Sequence, residues 1–344
     1  MPPTATFRRF LLMCVATIAA LPILAATISI TPSSGPVSGG TTVTLKGDFA
    51  ASPYYVIFGL TTAPAPATRI DEHTLTTVTP SHLPGAVSVR LFNVGSFTNT
   101  GVTFTFTGDA SEAFETLLLP VYLPPITGQF GSQFRTALTG HNVNEMIDLV
   151  GDIEVYGLPF ECVPDCSGLP SNFHPSETVS SGNDLYVFGA PNGHPGRLLR
   201  VLRSDVAALN LNLRAYDTSR SSTNFGTEIP IPRSGDFRTA RFALTGVPLD
   251  SRFRLMLRLY STSQTGGPVL VTVNGKPFTV QMSTTADSFE PSYGEFTAFP
   301  QSATPTTATV TIEPAPGSSV GPLWGFITVT NNDTQHITAI SPQP

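Results

Sequence analysis

Over residues 27–108, short runs in which apolar residues alternate with hydroxyl-bearing ones are interrupted by glycine and proline at short intervals, and no helical apolar spacing is present. A chain punctuated in this way can bury its apolar positions only as sheet. Ile28 and Ile30 share one face of an opening strand and Val43 and Leu45 one face of the next; residues 55–59, 74–78, 86–91 and 102–106 continue the pattern. Between them lie Pro32, Gly35, Pro36 and Gly39-Gly40, then Pro64 and Pro66, Pro80 with Pro84-Gly85, and Asn93-Val94-Gly95, residues that supply the fixed or positive φ of turns. About 80 residues is enough for one modest core, which predicts a small β-sandwich. Residues 116–344 keep the same texture, with strands predicted at 117–123, 148–156, 185–188, 209–216, 253–260, 269–273, 309–312 and 326–330. Residues 197–209 fit a helical stripe as well as two short strands. Composition agrees with an all-β extracellular chain: 12 % of residues are charged, and 46 Thr stand against two Lys, Lys46 and Lys276, so hydroxyls, amides and glycines must fill the surface. A charge-rich disordered tail and a coiled coil are both excluded.

Residues 1–26 read as a secretory signal, with Arg8 and Arg9 ahead of a mostly apolar stretch over 10–23 and small residues at Leu24-Ala25-Ala26. A membrane anchor is the competing reading, but Pro22 breaks an apolar run that falls short of the ~20 residues a span requires. A lipoprotein fits less well, since Met13 stands where a small residue should precede Cys14. The expectation is a secreted protein, extracellular, periplasmic or at the cell surface, with no integral membrane segment after cleavage. Residues 109–115 read as a linker, in which Asp109 and Glu112 have the spacing to cap a short helical turn. Residues 116–344 are expected to form one jelly roll or two sandwiches, dividing at about 116–205 and 206–344. Two cysteines remain after cleavage, Cys162 and Cys166, and in an oxidising compartment they most simply form a small local disulfide. The alternative, a metal site with His174 and Asp165 or Glu161, matches no zinc spacing.

The order of motifs in the first region is more informative than any one of them. Ile28-x-Ile30-x-Pro32-x-Ser34-Gly35-Pro36-x-x-Gly39-Gly40-Thr41-x-Val43-Thr44-Leu45-x-Gly47 is followed by Phe58-Gly59, Thr79-Pro80, Gly85-x-Val87-x-Val89, Asn93-x-Gly95 and Phe104-Thr105-Phe106. Residues 27–108 thus resemble an IPT/TIG domain. The resemblance implies an immunoglobulin-like β-sandwich of the kind found in cell-surface receptors, bacterial exported proteins, carbohydrate-active enzymes and some transcription factors. Its motifs are turn and core residues, so it transfers a fold and no catalytic residue. The remainder is reminiscent of bacterial exported β-rich proteins of unassigned role.

No catalytic residue, cofactor or metal site is predicted. Gly317-Ser318-Ser319-Val320-Gly321 has the Gly-x-Ser-x-Gly form of a nucleophile elbow, but prolines flank it and a strand rather than a helix should follow. The six histidines show no metal spacing, and Asn331-Asn332-Asp333 lacks the ligand rhythm of a calcium loop. Trp324 is the only tryptophan, which weakens an aromatic sugar platform. Two segments echo one another, residues 213–219 and 257–263, identical at five of seven positions; a weaker echo links 134–137 with 237–240. A duplicated unit and simple convergence of strand-plus-turn strings both account for them, and the unequal spacings favour the second.

Arginine placement carries the most physical content. Residues 197–258 hold 11 of the 14 arginines left after cleavage and five acids, a local charge of +6 within a remainder of −14. Alternation over 252–260 turns Phe253, Leu255, Leu257 and Leu259 one way and Arg252, Arg254 and Arg258 the other, with same-face neighbours ~6.8 Å apart. Arg214, Arg252, Arg254 and Arg258 are therefore the candidate ligand-binding residues, able to meet carboxylates, sulfates or phosphates. The partner so implied is an acidic polysaccharide or a cell-envelope component, or an acidic protein; the alternative is that these arginines pair with the chain's own acids. Nucleic acid is not an expected partner, because the chain as a whole is acidic at −6. The leading expectation is an exported non-enzymatic surface or extracellular protein with a binding or structural role. The competing ones are a secreted carbohydrate-active enzyme with its catalytic acids in the second region, and a purely structural assembly subunit.

Overall fold

The computed structural model describes residues 27–60, 62–121, 126–145, 151–158, 171–180, 195–219 and 225–342. The signal segment 1–26, the Cys162 and Cys166 pair with its expected disulfide, and the strand expected at 185–188 lie outside the described residues. Within them the fold is all-β, with only three short 3₁₀ turns.

The N-terminal unit contains β1 (Ser29–Thr31), β2 (Ser34–Pro36), β3 (Thr42–Lys46), β4 (Tyr54–Phe58), β5 (Ala65–Asp71), β6 (Thr74–Val78), β7 (Gly85–Asn93) and β8 (Ser96–Thr107). They pair in the order β1-β3-β6-β5-β4-β7-β8-β2, folded over a core in which Val43, Leu45, Phe58, Leu75, Phe104 and Phe106 are buried. Alternation makes β3 what it is: Val43 and Leu45 go inward, and Thr42 and Lys46 go to solvent. Strand β5 is unforeseen, because Pro64 and Pro66 read as loop. It pairs with β4 through Ala65, Pro66 and Ala67 and with β6 through Thr68, Arg69 and Asp71, so it crosses from one half of the sandwich to the other. Proline is tolerated at such a crossing because that residue need not donate to two neighbours. At Gly39 φ is +75°, and a Cβ there would come within 2.6 Å of the Pro80 carbonyl, which explains why this loop needs glycine.

The larger region opens with a 3₁₀ turn at Ala110–Ala113, where the Asp109 carboxylate accepts from the Ser111 N–H. Nine strands follow: β9 (Phe114–Pro120), β10 (Ile126–Thr127), β11 (Gln133–Asn142), β12 (Ile153–Tyr156), β13 (Ser171–Phe173), β14 (Thr178–Ser180), β15 (Gly196–Leu202), β16 (Leu209–Asp217) and β17 (Thr227–Ile229). They make two sheets, β13-β12-β15-β9 and β10-β11-β16-β17 with β14 also on β11, around one core. Residues 197–209 resolve as strand, turn and strand. Leu198, Leu199 and Val201 are all buried because β15 lies between β12 and β9 with both faces covered, which is why its pattern imitates a helix.

Eight more strands complete the chain: β18 (Phe242–Pro248), β19 (Phe253–Ser261), β20 (Pro268–Val273), β21 (Lys276–Gln281), β22 (Ser292–Phe296), β23 (Thr307–Pro314), β24 (Leu323–Asn331) and β25 (Ile337–Ile340). The sheets β18-β23-β20-β21 and β22-β19-β24-β25 enclose a second core. The change of pairing partners falls after Ile229 rather than near residue 205, since β16 pairs with β11 from Asp217 to Leu209. One arrangement positions the site. Leu255, Leu257 and Leu259 of β19 enter the second core, while Tyr260 of β19 and Trp324 and Phe326 of β24 enter the first. The sheet β22-β19-β24-β25 is therefore covered on both faces, and Arg254, Met256 and Arg258 share the face that looks toward the first pair of sheets.

Candidate functional site

Between the sheet β10-β11-β16-β17 and that second face of β22-β19-β24-β25 lies a cleft of about 840 Å³. Phe134, Thr136 and Ala215 line it from one side, and Arg254, Met256, Arg258 and Thr328 from the other. Thr136 stands opposite Ala215, and Met256 opposite Thr328, in their respective ladders, so strand register sets both walls. Where the face carries Tyr260, Trp324 and Phe326 it is closed by core packing. Exposure falls along β19 toward that closed end, from 60 % for the Arg252 side chain to 11 % for Arg258.

Arg258 donates from Nη1 to Thr328 Oγ1 at 3.0 Å. Its Nε is buried with no hydrogen-bond partner among the described residues, and the nearest carboxylate oxygen, Glu295 Oε1, is 3.9 Å away. Glu295 also accepts from the Tyr293 hydroxyl. Burial raises the Tyr260 and Tyr293 phenols above the ordinary tyrosine range, so both remain neutral beside Arg258. Toward the mouth, Arg254 donates to Asn332 Oδ1 at 2.8 Å and to Gln335 Oε1 at 2.7 Å, and its guanidinium lies 5.1 Å from the centre of the Phe130 ring. Phe130 is 63 % exposed and sits at φ +56° in the 3₁₀ turn Gln129–Gly131 that joins β10 to β11. No carboxylate lines the cleft among the described residues, and Arg135 of β11 is on the outer face with Tyr216, its partner in the ladder.

The cleft is one of two features that distinguish this chain, the other being its N-terminal sandwich with the Gly39-Gly40 loop. Residues 26–106 match the IPT/TIG domain family. The N-terminal unit is an immunoglobulin-like TIG domain, as the resemblance implied, and it spans about a quarter of the chain. No curated protein matches the chain. The TIG domain is joined to the larger region by direct contacts: the Ser204 N–H donates to Ser81 Oγ at 2.9 Å, and Leu202 and Phe114 pack against the TIG core. Asp205, next in the chain, is 2 % exposed, and burial pushes its carboxyl up to about 6.

The expected arginine row is divided by its surroundings. Arg254 and Arg258 line the cleft. Arg252 forks onto Asp250, with Nε 2.8 Å from Oδ1, and the hydrogen bonding it donates, with its charge behind it, lowers that carboxyl's pKa. Arg214, on the face of β16 opposite Ala215, donates to the Phe225 and Gly226 carbonyls at 2.7 and 3.1 Å. The Gly-x-Ser-x-Gly segment is the loop from β23 to β24, with a strand on each side and no helix to form an elbow. The Asn331 side chain accepts from the Asp333 and Thr334 N–H groups, closing the turn after β24. Among the described residues no group of three or more His, Cys, Asp or Glu is placed to hold a metal ion, and no helix is long and apolar enough to cross a membrane. Sequence reasoning missed Phe130, Asn332 and Gln335, the partners of Arg254. The repeated Phe-Arg-Thr-Ala string at 134–137 was a visible sign of a special strand there, but a string cannot show which sheet it faces.

Proposed function

We propose that this is an exported, non-enzymatic binding protein, extracellular or periplasmic, whose TIG domain serves as a spacer and whose larger β region holds an anionic ligand in the arginine-lined cleft. The observation that carries the reading is a cleft lined by Arg254 and Arg258 and by no carboxylate among its described residues. A guanidinium buried with Thr328 as its hydrogen-bond acceptor is an under-compensated cation, and an incoming anion would be favoured strongly where water is scarce. The ligand classes that fit this chemistry are an acidic glycan, an envelope component with an anionic group, and an acidic protein segment. A carbohydrate-active enzyme would need two carboxyls about 5 to 9.5 Å apart across the cleft, so the lining supports binding in preference to glycoside cleavage.

Titration of the purified protein with sulfated and uronic acid polymers at several salt concentrations tests the proposal. Binding that weakens with salt and with Arg254→Ala or Arg258→Ala, but not with Arg214→Ala, is the expected result. Binding indifferent to salt and to both cleft arginines overturns it.

A further inference from the structure

Resting on the anion-binding reading, the geometry points to a narrower ligand class: we infer that the cleft accepts an amphipathic organic carboxylate end-on, its anionic group at Arg258 and its apolar body lying over Met256 toward the mouth beside Ile126. Three observations support this orientation. First, the charge sits deepest where exposure is least, because Arg258 is 11 % exposed while Arg252 at the other end of the row is 60 % exposed. An anion that only brushed the surface would meet Arg252, whose charge is already taken up by Asp250. Second, between the arginines the cleft carries no charged group, and its polar lining there is threonine, Thr328 opposite Met256 and Thr136 on the facing wall. Met256 stands between Arg258 and Arg254 on their face of the strand, Ala215, Ile229 and Phe134 also line the cleft, and the two arginines are four residues apart on one strand, ~13 Å. A polymer bearing a charge on every unit would have to strip several anions of water against these side chains, whereas a single terminal carboxylate on a hydrocarbon body would not. Third, Ile126, a lining residue, is 43 % exposed, so the apolar lining reaches the surface there. A volume of about 840 Å³ lies within the ~300–1,000 Å³ usual for small-ligand sites.

The test uses the intact protein and three probes in calorimetric titrations: dodecanoate, dodecanol and a uronic acid oligosaccharide. The expected result is saturable binding of dodecanoate with a negative heat-capacity change, at least tenfold weaker binding of dodecanol, and at least tenfold loss of dodecanoate affinity in Arg258→Gln. The acid-against-alcohol comparison needs no variant and stands even if Arg258→Gln folds poorly. Binding of the oligosaccharide through Arg254 and Arg258 without binding of dodecanoate overturns this inference and leaves the anion-binding reading intact. Equal binding of dodecanol and dodecanoate overturns it as well, and failure of all three probes removes both readings.

Discussion

Burying the Arg258 guanidinium with Thr328 as its hydrogen-bond acceptor and Glu295 3.9 Å away places a cation in low dielectric without full compensation. Such a group is costly to the fold. Replacing it with an apolar side chain of similar length should therefore leave stability unchanged or raise it by about 1–2 kcal/mol. Arg258→Met is expected to match or exceed the native protein in urea unfolding while losing anion binding; a variant much less stable than the native protein would show the arginine to be structural. Asp205 gives a prediction with a pH sign. Its carboxyl titrates near 6 in the folded protein against an ordinary value of 3.8, because burial disfavours the charged form. The folded state thus binds the proton more tightly, so stability is greatest below the unfolded value and falls as pH rises through about 6. Asp205→Asn, which cannot ionise, should be more stable than the native protein at pH 7 by up to about 3 kcal/mol, with the difference vanishing near pH 4. Thermal unfolding of both proteins across that range checks it.

Strands β16 and β19 carry nearly the same string, Leu213-Arg214-Ala215-Tyr216 and Leu257-Arg258-Leu259-Tyr260, and each runs through the middle of its sheet. Both alternate as the period of two requires, yet Arg214 clamps the Phe225 and Gly226 carbonyls and Arg258 lines the cleft. Alternation states which residues share a face and is silent about what covers that face. The same limit applies to β5, whose Pro66 is compatible with a strand only because the strand changes partners there. Sheet contact also governs Gly140 of β11, where a Cβ would stand 2.3 Å from the Phe173 ring of β13. Gly140→Ala is expected to cost about 2–3 kcal/mol through overpacking, measured as a lower urea midpoint at unchanged slope.

Across the whole molecule, the sheet β22-β19-β24-β25 couples the two cores. Trp324 is 4 % exposed in the first core although its strand belongs to a sheet of the second. Arg197 of β15 adds a polar clamp: Nε donates to the Gly157 carbonyl at 2.8 Å, and Nη1 lies 2.9 Å from Asp287 Oδ2 in the segment before β22. Because Trp324 is the only tryptophan, its fluorescence reports this junction alone. The fluorescence change on denaturation should coincide with the main loss of far-ultraviolet sheet signal, since neither pair of sheets can open without exposing Trp324. A fluorescence transition well ahead of the sheet signal would mean that the two cores unfold separately. Arg197→Ala should shift the shared transition down by about 2 kcal/mol, chiefly because the Gly157 carbonyl loses its donor.

Local chemistry alone made the all-β class, the TIG domain and the alternation of β19 legible, since strand period, turn residues and ordered motifs act over a few neighbouring residues. The 252–260 arginines were visible as a charged row for the same reason. Whether that row met solvent, its own acids or a cavity depended on residues such as Phe134 and Ala215, far away in the chain and on the other wall of the cleft. Burial is a property of the packed sheets, and the energy of a guanidinium depends on its surroundings far more than on its place in the chain. The split between a +6 segment and a −14 remainder was written in the sequence; the placing of two of those charges inside a cleft without carboxylates among its described lining was decided when the sheet β22-β19-β24-β25 packed against β10-β11-β16-β17.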